Sequence, residues 1–188
     1  MAKILMVVGS LRKDSFNRQM ANEIERLIAG RAEVSYLEYA DLPYMNQDVE
    51  FPAPAAVARV RSEVQAADGI WICSPEYNYN IPGVLKNLLD WLSRPLVQGD
   101  FNGASAVSGK PVTISGAAGR SGASGVRDNL SKLLQMIRMQ LVGGEGTGIA
   151  LSGEAFMTGK AALTDENIAA LAAQVDSFLA ALAGKAAE

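Results

Sequence analysis

Two unbroken apolar runs constrain the fold of this chain more than any other feature. Lys3 to Val8 and Gly69 to Cys73 show no polar alternation. A strand with one face in water alternates polar and apolar residues. A strand that does not alternate must be covered on both faces, as in a parallel sheet flanked by helices. Val34 to Tyr39 and Val112 to Ser115 are shorter runs of the same kind, and Thr147 to Leu151 is a weaker one. Between them apolar residues recur at helical spacing. Phe16, Met20, Ile24, Leu27 and Ile28 share one face, as do Val57, Val60 and Val64. Val84, Leu85, Leu88, Leu89 and Leu92 form a third face, and Val126, Leu130, Leu133, Leu134 and Ile137 a fourth. A last helix carries Ile168, Leu171, Val175, Phe178, Leu179 and Leu182, with Thr164 placed as its N-cap and Asp165 and Glu166 in its first turn. Five strands alternating with five helices predict a three-layer α/β/α sandwich around a five-stranded parallel sheet. No linker or repeat interrupts the pattern, so residues 1–188 read as a single domain. Asp41 to Pro54 is expected to form an irregular excursion over the sheet edge.

Composition removes several chemistries. The chain has no histidine, which excludes a Ser-His triad, a His-bearing zinc site and a haem His ligand. Its single cysteine, Cys73, excludes an internal disulfide and suits a reducing compartment, so a cytoplasmic location is expected. A net charge of -3 gives no basic footprint for nucleic acid. No stretch approaches the ~20 apolar residues of a membrane helix, so no membrane partner is expected.

In such sheets ligands bind beyond the carboxyl ends of the strands. The loop after the first strand, Gly9 to Arg18, lacks both the nucleotide P-loop pattern and the G-x-G-x-x-G fingerprint. It supplies hydroxyls at Ser10 and Ser15, an amide at Asn17 and a guanidinium at Arg12, all near the positive end of a helix dipole. That is a cradle for a terminal phosphate, and arginine can bind two of its oxygens at once. After the third strand, Ser74 to Gly83 contains two prolines and a glycine, with Tyr77, Asn78 and Tyr79 at the apex. Rigid aromatic and amide groups there suit a flat heteroaromatic ring. After the fourth strand, Ser115 to Gly125 is glycine-rich, which lets backbone approach a ligand. A phosphate at the first loop and a planar ring at the other two describe flavin mononucleotide (FMN).

Gly9-Ser10-Leu11-Arg12-x-x-Ser15-x-Asn17, with Pro75-Glu76-Tyr77-Asn78-x-x-x-Pro82-Gly83-x-Leu85-Lys86-Asn87-x-x-Asp90-Trp91, resembles the NAD(P)H-dependent FMN reductase family. That family is flavodoxin-like and includes bacterial quinone and chromate reductases. The similarity runs from the first strand to about Gly119. It implies that Ser10, Arg12, Ser15 and Asn17 hold the FMN phosphate, aided by the backbone at Phe16. It implies that Pro75, Glu76, Tyr77 and Asn78 line the isoalloxazine, with Ser115 and Gly116 on another side. The electron donor would be NADPH or NADH. The partner would be a small-molecule electron acceptor such as a quinone, a flavin or a metal oxyanion such as chromate. The resemblance further implies a homodimer or homotetramer, with the helix ending Asp90-Trp91 as the contact. No catalytic side chain is expected, because the cofactor carries the redox chemistry. With one domain and no second nucleotide fingerprint, donor and acceptor would take turns over one flavin face, giving ping-pong kinetics. A flavodoxin-type electron carrier and an azoreductase are the alternatives.

Overall fold

The computed structural model describes residues 1–100 and 102–185. Strands β1 (Lys3–Val8), β2 (Glu33–Tyr36), β3 (Gly69–Ser74) and β4 (Pro111–Ala118) are joined by helices α1 (Phe16–Ile28), α2 (Ala55–Ala66) and α3 (Gly83–Leu92). Helix α4 (Ser124–Met136) leads to β5 (Gln140–Leu141) and β6 (Thr147–Ala150), then α5 (Gly153–Thr158) and α6 (Asp165–Lys185). Every pairing is parallel and the order is β2-β1-β3-β4-β5, with β6 also on β4. The sheet therefore has six strands where five were expected. The fifth is split: β5 pairs with Pro111 and Val112, while β6 pairs with Ser115 to Ala118 on the same edge of β4.

The apolar runs behave as the two-sided burial argument requires. Leu5, Val7, Ile70 and Ile72 pack beneath α2, α3 and α4 with Val60, Val64, Leu85, Leu88 and Leu130. Ile4, Met6, Val8, Trp71 and Cys73 face the opposite way, against Met20, Ile24, Leu171, Val175 and Phe178 of α1 and α6. Alternate residues of one strand thus serve two separate cores. Cys73 is fully buried, and burial pushes its thiol up from the ordinary range.

The last helix starts where its residues predict. Asn167 N donates to Thr164 Oγ1 (3.2 Å) and Thr164 N donates to Asn167 Oδ1 (3.2 Å), a reciprocal cap. By length and composition α6 could cross a membrane, with mean hydropathy 1.3 over Asp165–Gly184, contrary to the expectation from apolar runs. The reason is alanine: Ala169, Ala170, Ala173, Ala180 and Ala183 are exposed, while Leu171, Val175 and Phe178 pack into the core. The excursion between β2 and α2 is irregular, as expected, and is clipped to α3 and the residues just after it. The Pro43 carbonyl accepts from Asn87 Nδ2 (2.9 Å) and Trp91 Nε1 (2.8 Å), and Glu50 forms a two-pronged pair with Arg94 (2.9 and 3.0 Å).

Candidate functional site

Strand order reverses between β1 and β3, because the chain steps from β1 to β2 on one side and to β3 on the other. Such a switch opens a crevice at the carboxyl ends of the two strands; the order 2-1-3-4-5 is the flavodoxin example of this rule. A cavity of about 220 Å³ lies there, lined by Ser10, Arg12, Ser15, Phe16, Asn17, Pro75, Glu76 and Tyr77. Ala117, Ala118, Gly119, Leu151 and Phe156 complete its wall. A larger hollow of about 700 Å³ sits at the opposite, amino-terminal ends of the strands. Its charged side chains are already engaged: Lys110 Nζ donates to the Gln65 and Ala67 carbonyls, Asp68 accepts from Lys3 N, and Arg31 pairs with Asp176.

The first loop is held open for an anion. Gly9 N donates to the Cys73 carbonyl (2.8 Å), and a Cβ at Gly9 would meet Ser74 Oγ at 2.9 Å, so only glycine lets the two strand ends approach this closely. Tyr39 donates to the Val8 carbonyl (2.7 Å), and burial holds its phenol well above the ordinary range, which keeps the hydroxyl a donor. Ser15 caps α1 by accepting from Arg18 N (3.0 Å), leaving its hydroxyl proton free to donate. The N–H groups of Phe16 and Asn17 find no acceptor among the described residues, as expected for a helix's first turn. Arg12 is exposed, pairs with no carboxylate among the described residues, and lies 5.1 Å from the Phe16 ring centroid. Ser10 Oγ accepts from Arg12 N (3.3 Å) and lies 3.5 Å from the Tyr77 hydroxyl, across the cavity mouth.

Asn17 is more constrained than its residue type suggests. Its Nδ2 donates to the Ala117 carbonyl and its Oδ1 accepts from Ala117 N, both at 2.9 Å. The side-chain amide thus takes the place of a neighbouring strand's peptide group at the end of β4. Its second Nδ2 hydrogen is the only donor left for a ligand.

The second loop is a tight turn. Tyr77 and Asn80 exchange backbone hydrogen bonds (3.2 and 3.0 Å), and Asn78 and Tyr79 between them have φ of 53° and 59°. Two left-handed residues in succession give the turn that suits a two-residue hairpin. Asn129 Nδ2 on α4 donates to the Tyr79 carbonyl (3.2 Å). Asn78 sits exposed on this turn, outside the cavity wall. Glu76 accepts from Ser121 Oγ (2.6 Å) and from Val126 N (3.0 Å), so its carboxylate caps the first turn of α4 and ties two loops together.

The third loop differs from expectation at Ser115 and Gly116. Strand β4 runs on to Ala118, so both residues are interior strand positions. Ser115 Oγ accepts from Trp71 Nε1 (3.0 Å) and donates to Gln174 Oε1 (2.9 Å), on the α6 side of the sheet. A Cβ at Gly116 would meet Ala123 Cβ at 2.6 Å; the glycine admits protein, not ligand. The residues that reach the cavity from this strand are Ala117, Ala118 and Gly119. Leu151 and Phe156 were not foreseen. Trp91 is fully buried, so a subunit contact through α3 would use other residues of that helix.

These groups fit FMN. Open helix N–H groups, two hydroxyls and an unpaired guanidinium suit a phosphate monoester, and Pro75 with Tyr77 supplies an apolar wall for a ring. A family model described as NADPH-dependent FMN reductase matches residues 2–150. A quinone reductase of Pseudomonas putida is 38% identical over 170 residues, 87% of this chain and 82% of that protein. A 2-hydroxy-1,4-benzoquinone reductase of a Burkholderia species is 40% identical over 116 residues, 62% of this chain and 60% of that protein. A flavoenzyme NAD(P)H:(acceptor) oxidoreductase from Paracoccus denitrificans superposes with a TM-score of 0.84 at 29% identity, covering 98% of both chains. With a phosphate-ready loop at the switch point and this agreement over most of its length, the chain belongs to the NADPH-dependent FMN reductase family, oxidoreductases that work with FMN and NAD(P)H.

Proposed function

We propose that this single-domain enzyme binds FMN in the crevice between β1 and β3 and passes two electrons from NADPH or NADH to quinones. Free flavins and metal oxyanions such as chromate are further acceptors in this reading. The observation that carries it is the set of donors around one cavity: Phe16 N, Asn17 N, the Ser10 and Ser15 hydroxyls and the unpaired Arg12. The activities for which the relatives in Pseudomonas putida and Burkholderia are named support quinones as the acceptor class.

When bound, FMN supplies two-electron redox chemistry. The chain's own residues bind and orient it. Ser10, Ser15, Arg12 and the first turn of α1 would hold the phosphate, with the spare Asn17 hydrogen. Pro75, Glu76 and Tyr77 would face the ring from one side, and Ala117 to Gly119 from the other. No side chain need move a proton. The cavity's volume of about 220 Å³ is below the ~300 Å³ at which sites begin to enclose a whole drug-sized ligand. Part of the cofactor therefore stays at the open mouth, where donor and acceptor reach it in turn, the basis for ping-pong kinetics. The reading includes a cytoplasmic homodimer or homotetramer, which light scattering of the purified protein tests. The decisive experiment is the visible spectrum of purified protein before and after anaerobic NADPH. Flavin bands that bleach on addition support the reading; protein that takes up no FMN refutes it.

A further inference from the structure

One wall of the cavity comes from beyond the family-matched residues 2–150: Phe156, on the six-residue helix α5. Its ring meets Phe16 edge-on, with centroids 5.4 Å apart at 81°. The Arg12 guanidinium lies 5.1 Å from the centroid of the same Phe16 ring. Phe16 therefore touches a second ring at right angles and a cation. Both contacts suit the ring's charge distribution.

The place of α5 is fixed independently of this contact. Ala155 is fully buried in the core shared with α1 and α6. Ser152 caps the helix by accepting from Ala155 N (3.2 Å). Gln19, three residues after Phe16 on the same face of α1, donates to the Gly159 carbonyl and accepts from Ala161 N, both at 2.8 Å. Phe156 itself leaves 57% of its surface in water, so it is not a core residue.

We infer that Phe156 is a positioning residue for the phosphate grip: its ring fixes Phe16, and Phe16 holds the Arg12 guanidinium, which has no carboxylate partner among the described residues, at the cavity mouth. A free arginine side chain must give up many rotamers to grip an anion. A ring that already carries the guanidinium removes part of that loss before the ligand arrives. This inference rests on the phosphate assignment above and adds the device that prepares it.

The test titrates the flavin-free, full-length protein with FMN and with riboflavin, which lacks the phosphate. In Phe156→Leu and Phe156→Ala, FMN binds about three- to tenfold more weakly, the range of an aromatic pair with a cation–π contact. Riboflavin binding weakens less than FMN binding, and Phe156→Tyr, which keeps the ring, matches wild type. In an Arg12→Ala background Phe156→Leu has no further effect, because its influence runs through Arg12. Thermal melting of the flavin-free variants identifies a folding defect, and Phe156→Leu keeps apolar bulk should the alanine variant fail to fold. Equal weakening of both ligands, unchanged FMN binding, or an effect that persists without Arg12 would overturn the inference. A wild-type protein that does not prefer FMN to riboflavin would remove the phosphate assignment, and this inference with it.

Discussion

Replacing Asn17 by alanine or aspartate separates the scaffold of the cavity from its affinity for ligand. The side chain is 2% exposed and closes two 2.9 Å hydrogen bonds on Ala117, itself 2% exposed. Alanine leaves the N–H and C=O of Ala117 without partners. Each orphaned buried group costs about 1–3 kcal/mol, and water entering from the adjoining cavity keeps the total near the low end, about 2–3 kcal/mol. For a chain of 188 residues, at ~2–4 °C per kcal/mol, the flavin-free variant melts about 4–12 °C below wild type. Aspartate adds a pH dependence. One carboxylate oxygen still accepts from Ala117 N, but the other faces the Ala117 carbonyl and, when ionised, has no proton to donate. Protonation restores the donor, so the folded protein favours the neutral acid and its pKa rises above the unfolded value of about 3.9. Between those two values the folded state binds more protons, and stability falls as pH rises. Asn17→Asp is therefore less stable than wild type at neutral pH, and the gap narrows on acidification. Thermal melts of flavin-free protein across pH check both variants. An alanine variant that melts with wild type, or an aspartate variant whose deficit is the same at every pH, would refute the reasoning.

Arg12→Ala removes a charge-assisted phosphate contact. Because the side chain is exposed, the loss falls toward the lower end of about 1.5–3 kcal/mol, roughly tenfold or more in FMN affinity. The variant should purify depleted of flavin, and full yellow occupancy after dialysis would contradict the assignment. Ser115→Ala breaks the Trp71–Ser115–Gln174 chain in the core and lowers stability by about 1–3 kcal/mol while leaving FMN affinity at wild type. Weakened FMN binding with unchanged melting would return Ser115 to the cofactor. Initial rates measured against NADPH at several quinone concentrations should give parallel double-reciprocal lines, and converging lines would exclude alternating use of one site.

What the residues disclosed followed from the strength of each local signal. Lys3 to Val8 is a strand with the expected bounds, and the third strand extends its expected run only to Ser74. Strand β4 runs from Pro111 to Ala118, longer than Val112 to Ser115, because its last residues, Gly-Ala-Ala, carry no strand preference and are held by pairing with β6. That extension is why Ser115 and Gly116 are interior and Ala117 to Gly119 reach the cavity. Helix α5 is too short for a period to show, and Phe156 was missed with it. Ser152 before Glu154, and Gly159 after the helix, are the signals in the sequence that mark it. The hydroxyls and guanidinium of the first loop were legible because they are adjacent in sequence. The engagement of Asn17 was not, since its partner lies 100 residues away.

The interior placement of Cys73 also gives the chain a gauge of its own integrity. Cys73 lies on β3 beneath α1 and α6, so a maleimide in solution meets the sulfur only after the helical layer on that face opens. Because the sequence contains 1 cysteine, every labelled molecule reports that one event. Slower labelling in the presence of FMN would then measure, without any catalytic assay, how firmly the ligand couples a surface crevice to the opening of the layer above it.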